Sequence, residues 1–291
     1  MKEMLRSVWI KFRRNKTPAA SKRRAKLRPP PSEAGSPGFV ATITRTGETI
    51  YDHRALRFRS LTLNAADLAR LENPAQIHGG FKIRVAKQPA GRRRAGTLVE
   101  KRYTGRGYST SPSDQDPTLS TFIAFDEGML VGTVSVRLDA GSGISADELY
   151  RTELDEMRNA GCRLCEFTRL AVDRTVASKP VLAGLFHTAY LYAAVIRGYT
   201  HAVIEVNPRH VTFYRRALNF EQAGEKRMSL RVNAPAVLLR VPFATIARNL
   251  KLYAGKQHAT GPSRSLFPYG FPEVEEVGVL ARLRALASGI D

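Results

Sequence analysis

Residues 163–173 read Arg163-Leu-Cys-Glu-Phe-Thr-Arg-Leu-Ala-Val-Asp173. Most of the run is the apolar material of a buried strand, yet Glu166, Thr168 and Arg169 sit inside it. On a regular strand, Leu164, Glu166, Thr168 and Leu170 share one face, and Phe167, Arg169 and Ala171 the other. Each face then mixes apolar with polar groups, a pattern that burial alone does not produce. Burying an unpaired charge is costly, so these groups need either partners or a task. Cys162 and Cys165, three positions apart on extended chain, lie about 10 Å apart, too far for a disulfide. The chain has 2 cysteines, so a four-ligand zinc site of the Cys-pair type is also excluded. Both read as thiols in or near the core, and no metal cluster is expected.

Working outward, Phe81–Ala86 reads as a strand and 89–103 as a helix, followed by a polar loop. Ser120–Phe125 and Leu130–Leu138 form a hairpin. The spacing predicts a helix over 145–160, with Ser145 as N-cap and Glu148 three residues on, the pattern of a capping box. After the 163–172 strand, Ser178 and Pro180 open a long apolar helix to Arg197, and Ala202–Val206 is the next strand. Pro208 starts a helix through Leu218, and strands at about 220–231 and 235–242 close the domain. This α/β (α+β) order, with one helical crossover, predicts a mixed, mostly antiparallel central sheet flanked by helices. It resembles the layout of a GNAT-type N-acyltransferase.

The chain has 291 residues, 43% of them hydrophobic, enough for one sizeable core with appendages. No run approaches the ~18–20 apolar residues of a membrane span, and the N-terminus lacks the form of a signal peptide, so the expected compartment is the cytoplasm. The net charge is +20. Residues 1–80 hold 16 Lys and Arg against 6 Asp and Glu, a net +10; residues 81–245 hold 24 against 16, a net +8. Such a chain favours acidic partners. Residues 1–38 read as a basic, disordered arm containing an amphipathic helix at 1–16 (Met4, Leu5, Val8, Trp9 and Phe12 on one face), suited to an anionic membrane surface, a docked helix or a frayed tail. Residues 39–79 form a short extension with a hairpin and a helix around Asn64–Leu71. Residues 246–291 form a C-terminal tail, with an amphipathic helix at Val277–Leu286 that docks or caps.

Cys165-Glu-Phe-Thr-Arg169, followed by Leu-Ala-Val-Asp173, resembles the E-x-[ST]-R strand motif of LuxI-type autoinducer synthases, and Val131–Asp139 is similar to the strand preceding it there. The fuller resemblance is to FeeM-like N-acyl amino acid synthases. It is carried by Leu149-Tyr150-Arg151, the Cys162–Asp173 run, Phe186-His187 with Tyr190-Leu-Tyr192, Ile204–His210 with Phe213–Arg216, and Arg231–Val237. It spans about residues 80–242 and makes 80–245 a GNAT-like catalytic domain. The resemblance implies transfer of a long-chain acyl group from acyl carrier protein to the amine of an amino acid, with no other cofactor. The glycine-rich loop with which GNAT enzymes hold the coenzyme A pyrophosphate is missing after Asp173. A helix N-terminus there could hold one phosphate, with Arg174 or Lys179 nearby, as a carrier-protein phosphopantetheine requires. The +8 core would steer an acidic carrier.

Aminolysis of a thioester needs a neutral amine, so Glu166 is expected either as the base that deprotonates it or as the partner of Arg169 or Arg137 in an ion pair. Arg169 is read as a brace, paired with Asp139 or Asp173, with direct substrate contact as the alternative, and Thr168 as a pocket or ordinary strand residue. The oxyanion is assigned to backbone N–H groups where this strand parts from 202–206. Tyr214 stands where many GNAT enzymes keep a tyrosine that protonates the leaving thiolate; a packing role is the alternative. Arg209 is a candidate for the amino-acid carboxylate or the carrier phosphate, and Asn207 and Asn233 for the pocket. Competing readings are an aminolipid or acyl-homoserine-lactone synthase, an inactive fold used for binding, and a nucleic-acid binder. The last is disfavoured, because no nucleic-acid signature accompanies the charge.

Overall fold

The computed structural model describes residues 49–52, 81–86, 89–104, 119–126, 129–173, 178–256 and 264–288. The chain divides at Arg45/Thr46, and all described residues belong to the second unit. The helices expected at 1–16 and around Asn64–Leu71, the basic arm and Arg174 lie outside the described residues.

The hairpin of β3 (Leu119–Asp126) and β4 (Met129–Leu138) is the centre of the sheet. Every residue of β4 from Val131 to Val136 is buried, so this strand is covered on both faces. β5 (Leu164–Val172) pairs antiparallel with β4 and parallel with β6 (His201–Val206). The full order is β1-β2-β3-β4-β5-β6-β9-β7, where β1 is Thr49–Asp52, β2 Phe81–Val85, β7 Glu221–Gln222 and β9 Ala234–Pro242. β8 (Arg227–Ser229) also pairs with β9. This is the mixed, mostly antiparallel sheet expected from the sequence.

On one face lie α1 (Pro89–Thr104) and α2 (Asp147–Asn159), the latter packing Tyr150, Leu154 and Met157 on Leu164, Val203 and Leu238. The other face carries the main core under α3 (Lys179–Tyr190), which runs on as a π-helical turn, Leu191–Ile196. Ser178 caps α3 by accepting from Val181 N–H, with Pro180 in the first turn. Lys179–Ile196 is long and apolar enough to cross a membrane, but it is 67% buried against the sheet, as a core helix is. Gly132 lets α3 approach: a Cβ there would lie 2.9 Å from Leu185 Cδ1.

Three expectations are corrected. First, β5 is not regular. Ser135 pairs with Thr168 but Thr133 pairs with Ala171, so Arg169 and Leu170 together oppose Val134. Arg169 takes a left-handed backbone (φ 51°), which makes this a β-bulge. The extra residue reverses the alternation beyond it. Cys165, Phe167 and Leu170 all join the main core, whereas Leu164 packs under α2 and Ala171 under α1. Leu170 is therefore not on the Glu166 face, and Ala171 is not on the Phe167 face.

Second, α2 has no capping box. Its N-cap is Ala146, with no side-chain cap, because Ser145 turns its N–H to Glu166 and Glu148 faces Arg231. Third, the strand expected over 220–231 is two short pieces, broken where Ala223 and Gly224 N–H both donate to Leu238 O. A Cβ on Gly224 would lie 2.7 Å from the Tyr150 ring, so the chain detours around that ring. The segment beyond 245 docks on the core, as read for its C-terminal helix. α5 (Phe243–Tyr253), a short turn at Phe267–Tyr269 and α6 (Glu273–Ser288) put Ile246, Leu250, Phe267, Phe271, Val279 and Leu283 into the main core. β1, from the 39–79 extension, becomes the sheet's outer strand.

Candidate active site

Parallel pairing between β5 and β6 is confined to Leu164–Glu166 against His201–Val203. Beyond it the register stops, and Glu166 stands at the last rung. Its side chain shares the α2 face of the sheet with Glu205, two residues past Val203. Glu166 is 2% exposed, and its Oε2 accepts the Ser145 N–H at 2.7 Å. Burial pushes its carboxyl above the usual carboxylate range; Arg231 and the Ser145 hydrogen bonds pull back, and Glu205 pushes further upward. Arg231, in the turn between β8 and β9, donates to Glu205 Oε2 at 3.2 Å and approaches Glu148 Oε2 at 3.7 Å. Burial raises the Glu205 pKa too, against Arg231 and Ser229. Arg231 thus ion-pairs Glu205 and Glu148 and lies close enough to Glu166 to favour its charged form, while burial and Glu205 oppose it.

Tyr150 packs with Leu164, Val203 and Leu238 on the same face. Its hydroxyl donates to Glu225 O (3.0 Å) and Ala236 O (2.9 Å), and its ring lies 4.8 Å beneath Arg227. Burial, with Glu205, pushes its pKa up to about 12, so it stays neutral. Tyr150 also interrupts the helical geometry of α2 (φ −128°, ψ 32°). Farther along α2, Arg158 binds Asp139 (2.7 Å), Asp147 (2.7 Å) and Asp155 (2.6 Å). Burial raises the Asp147 pKa but is outweighed by Arg158 and the Ile144 N–H, leaving it lowered. This cluster anchors α2 beside the site and engages Asp139, one of the two partners expected for Arg169.

The other residues predicted from sequence are dispersed. Arg137 pairs with Glu166 in the β4–β5 register and Thr168 with Ser135, but the cation that most favours ionised Glu166 is Arg231. Arg169 is at the bulge. Tyr214, on α4 (Val211–Leu218), is buried with its ring edge-on to Phe186 and Phe220 in the main core. Asn207 accepts the Arg209 N–H and donates to Pro235 O, both at 3.2 Å, so its side chain ties β6 to β9. Arg209 is exposed beside His210. Lys179 lies 5.2 Å over Tyr269, and Asn233 is an exposed turn residue with φ 49°. Cys162 and Cys165 are free, in different clusters on opposite faces.

Sequence reasoning missed Glu205, Arg231, Ser145 and Glu148 as members of the site. Glu205 carried the signal that singled out Glu166, an acid within an apolar strand. Arg231 opened one of the runs that carried the resemblance, but its place beside Glu205 depends on the β8–β9 turn.

The profile of the N-acyl amino acid synthase FeeM family matches residues 94–242. The chain belongs to the FeeM family of N-acyl amino acid synthases. It is thereby an N-acyltransferase, on a GNAT-type fold. The solved structure of FeeM, an N-acyl amino acid synthase from uncultured soil microbes, is 30% identical; the match covers 56% of this chain and 91% of that one, with a TM-score of 0.52. The acyl-homoserine-lactone synthase LasI is 15% identical (56% and 90% covered, TM-score 0.41). An N-acetyltransferase from Staphylococcus aureus Mu50 is 13% identical (56% and 98% covered, TM-score 0.41). No curated protein matches the sequence. The FeeM family profile takes in Glu166, Glu205 and Arg231; β1, β2 and everything beyond Pro242 lie outside it.

Proposed function

We propose that this enzyme transfers a long-chain fatty acyl group from acyl carrier protein to the α-amine of an amino acid, giving an N-acyl amino acid. The observation that carries this reading is Glu166: a buried carboxylate with a raised pKa at the last rung of the β5–β6 pairing, beside a second carboxylate and a cation. A carboxylate of raised pKa is a stronger base, and general-base catalysis contributes on the order of a hundred- to ten-thousand-fold.

In this mechanism Glu166 takes one proton from the substrate ammonium, directly or through water. The freed amine attacks the thioester carbonyl, and backbone N–H groups where β5 and β6 part hold the oxyanion. As the N–C bond forms and the C–S bond breaks, Tyr214 protonates the thiolate and regains a proton from the nitrogen. Glu166 then releases its proton to water. Arg231 pairs with Glu205 and favours its charged form against burial. Arg137, Thr168 and Arg169 support the strand, Arg174, Lys179 and Arg209 receive the phosphopantetheine, and Asn207 and Asn233 border the pocket.

The missing pyrophosphate loop and the +8 core favour an acidic carrier protein over coenzyme A as donor. The same reading puts the enzyme in the cytoplasm, with residues 1–16 available to the anionic inner face of the membrane. The test is direct. Purified enzyme is given a fatty acyl thioester of carrier protein, or of coenzyme A, with a mixture of amino acids, and products are read by mass spectrometry. N-acyl amino acids from the carrier donor that vanish in Glu166→Gln are expected. Equal turnover of both donors would remove the carrier assignment, and acylation of some other amine would remove the acceptor.

A further inference from the structure

Behind Glu166, on the opposite face of β5, lies a small apolar cavity of about 20 Å³. Phe167, Phe186 and Phe220 line it from the family-matched core; Ile246, Leu250 and Phe267 line it from the segment beyond that core. Phe167 directly follows Glu166, so the cavity and the Glu166 carboxyl lie on opposite faces of one strand. The volume is about that of one water-sized sphere. An alkyl chain reaching this point meets a wall.

That wall is fixed in place. Leu266 N–H donates to Ala217 O at 3.0 Å, and Phe271 N–H donates to His187 Nδ1 at 3.0 Å. Gly270 packs closely: a Cβ would lie 2.8 Å from Leu250 Cδ2 and 3.2 Å from His187 Nδ1, so the neighbours would have to shift. Five of the eleven residues lining a cavity that abuts the family's catalytic strand therefore come from chain lying outside the family match.

We propose that α5 and the Leu266–Gly270 turn form the end wall of the acyl pocket and set the longest chain that the enzyme accepts. The inference rests on the acyl-transfer reading above. Its occupant is the methyl end of the fatty acyl group, because the lining is aliphatic and aromatic apart from His187, whose Nδ1 is already engaged by the Phe271 N–H.

The test compares wild type with Ile246→Ala, Leu250→Ala and Ile246→Phe, using octanoyl, dodecanoyl and hexadecanoyl thioesters of carrier protein as donors. Removing methylenes from the wall should raise the ratio of kcat/KM for hexadecanoyl over dodecanoyl by about tenfold, and Ile246→Phe should lower it by about as much. Should the alanine variants fold poorly, Ile246→Val must move the ratio in the same direction by a smaller factor. A readout without turnover uses Glu166→Gln as background: the added Ile246→Ala change should increase thermal stabilisation by hexadecanoyl-pantetheine relative to dodecanoyl-pantetheine. Product formation with an unchanged chain preference in every wall variant overturns the wall alone. Wild type that yields no N-acyl product from any donor removes the acyl-transfer reading, and the wall with it.

Discussion

Glu166 carries opposite demands for stability and for catalysis. Its pKa is raised in the fold, so between the unfolded carboxylate range and that raised value the native state binds more protons than the unfolded chain. Stability therefore falls as pH rises through this window and stays lower above it. Glu166→Gln still accepts the Ser145 N–H but removes the buried charge. Its melting temperature relative to wild type should rise from acidic to neutral pH, while turnover falls by about a hundredfold or more; wild-type turnover would end the base assignment. Arg231 allows a second test. Arg231→Met removes the cation that holds down both Glu166 and Glu205, so the acid limb of the kcat/KM profile should move to higher pH, with less change at alkaline pH. An unmoved limb would show that Arg231 does not face the working base. Glu166 was legible in the sequence because an acid in an apolar strand is costly. Arg231 was not, because a turn residue 65 positions downstream carries no local sign of what it will face.

At the scale of the element, the bulge in β5 decides which side chains meet the acceptor and which meet the core. Alternation assigned Glu166 and Phe167 to opposite faces correctly, but failed past Arg169 because nothing in the sequence marked an arginine as left-handed. Glycine would have been the signal. Arg169→Gly relieves that backbone and should leave urea unfolding within about 1 kcal/mol of wild type, whereas Arg169→Val should lose about 1–3 kcal/mol. Deleting residue 169 removes the extra residue and leaves Leu170 opposite Val134 and Ala171 opposite Thr133, each on the face it already occupies, so the variant should still fold. The capping box failed for a related reason. Ser145 and Glu148 match its spacing, but spacing does not record that Glu166 and Arg231 compete for the same groups. Hairpins, the crossover helix and element order were legible because each rests on local periodicity and turn residues.

At the scale of the whole molecule, chain from both ends of the family-matched core meets on one side of it. Arg282 Nε donates to Ile50 O at 2.6 Å, Tyr51 O–H donates to Glu275 Oε2 at 2.9 Å, and the Tyr51 and Phe271 rings lie 4.3 Å apart. The sequence marked these segments as extension and tail, because their apolar residues show their purpose only once folded against α3. His187 joins them to α3 from within. It is 3% exposed and stacks on Phe271; its Nδ1 accepts the Phe271 N–H, and its Nε2 lies 3.2 Å from Glu276 Oε2. Burial lowers its pKa below 6.5, although Glu276 acts in the opposite sense. Below 6.5 the unfolded chain therefore binds more protons than the fold. The stability this residue supports is complete above 6.5 and is lost as pH falls through the lowered value. The loss should be local first, because a proton on Nδ1 removes the acceptor of the Phe271 N–H. Hydrogen-exchange protection of the Phe271 amide should fall from about pH 7.5 to about pH 5.5 in wild type. In His187→Phe, which keeps the ring but has no acceptor, protection should start low and change little over the same range. Protection in wild type that ignores pH would mean that the C-terminal segment is held by its apolar contacts alone. The end of the acyl pocket would then keep its shape in acid.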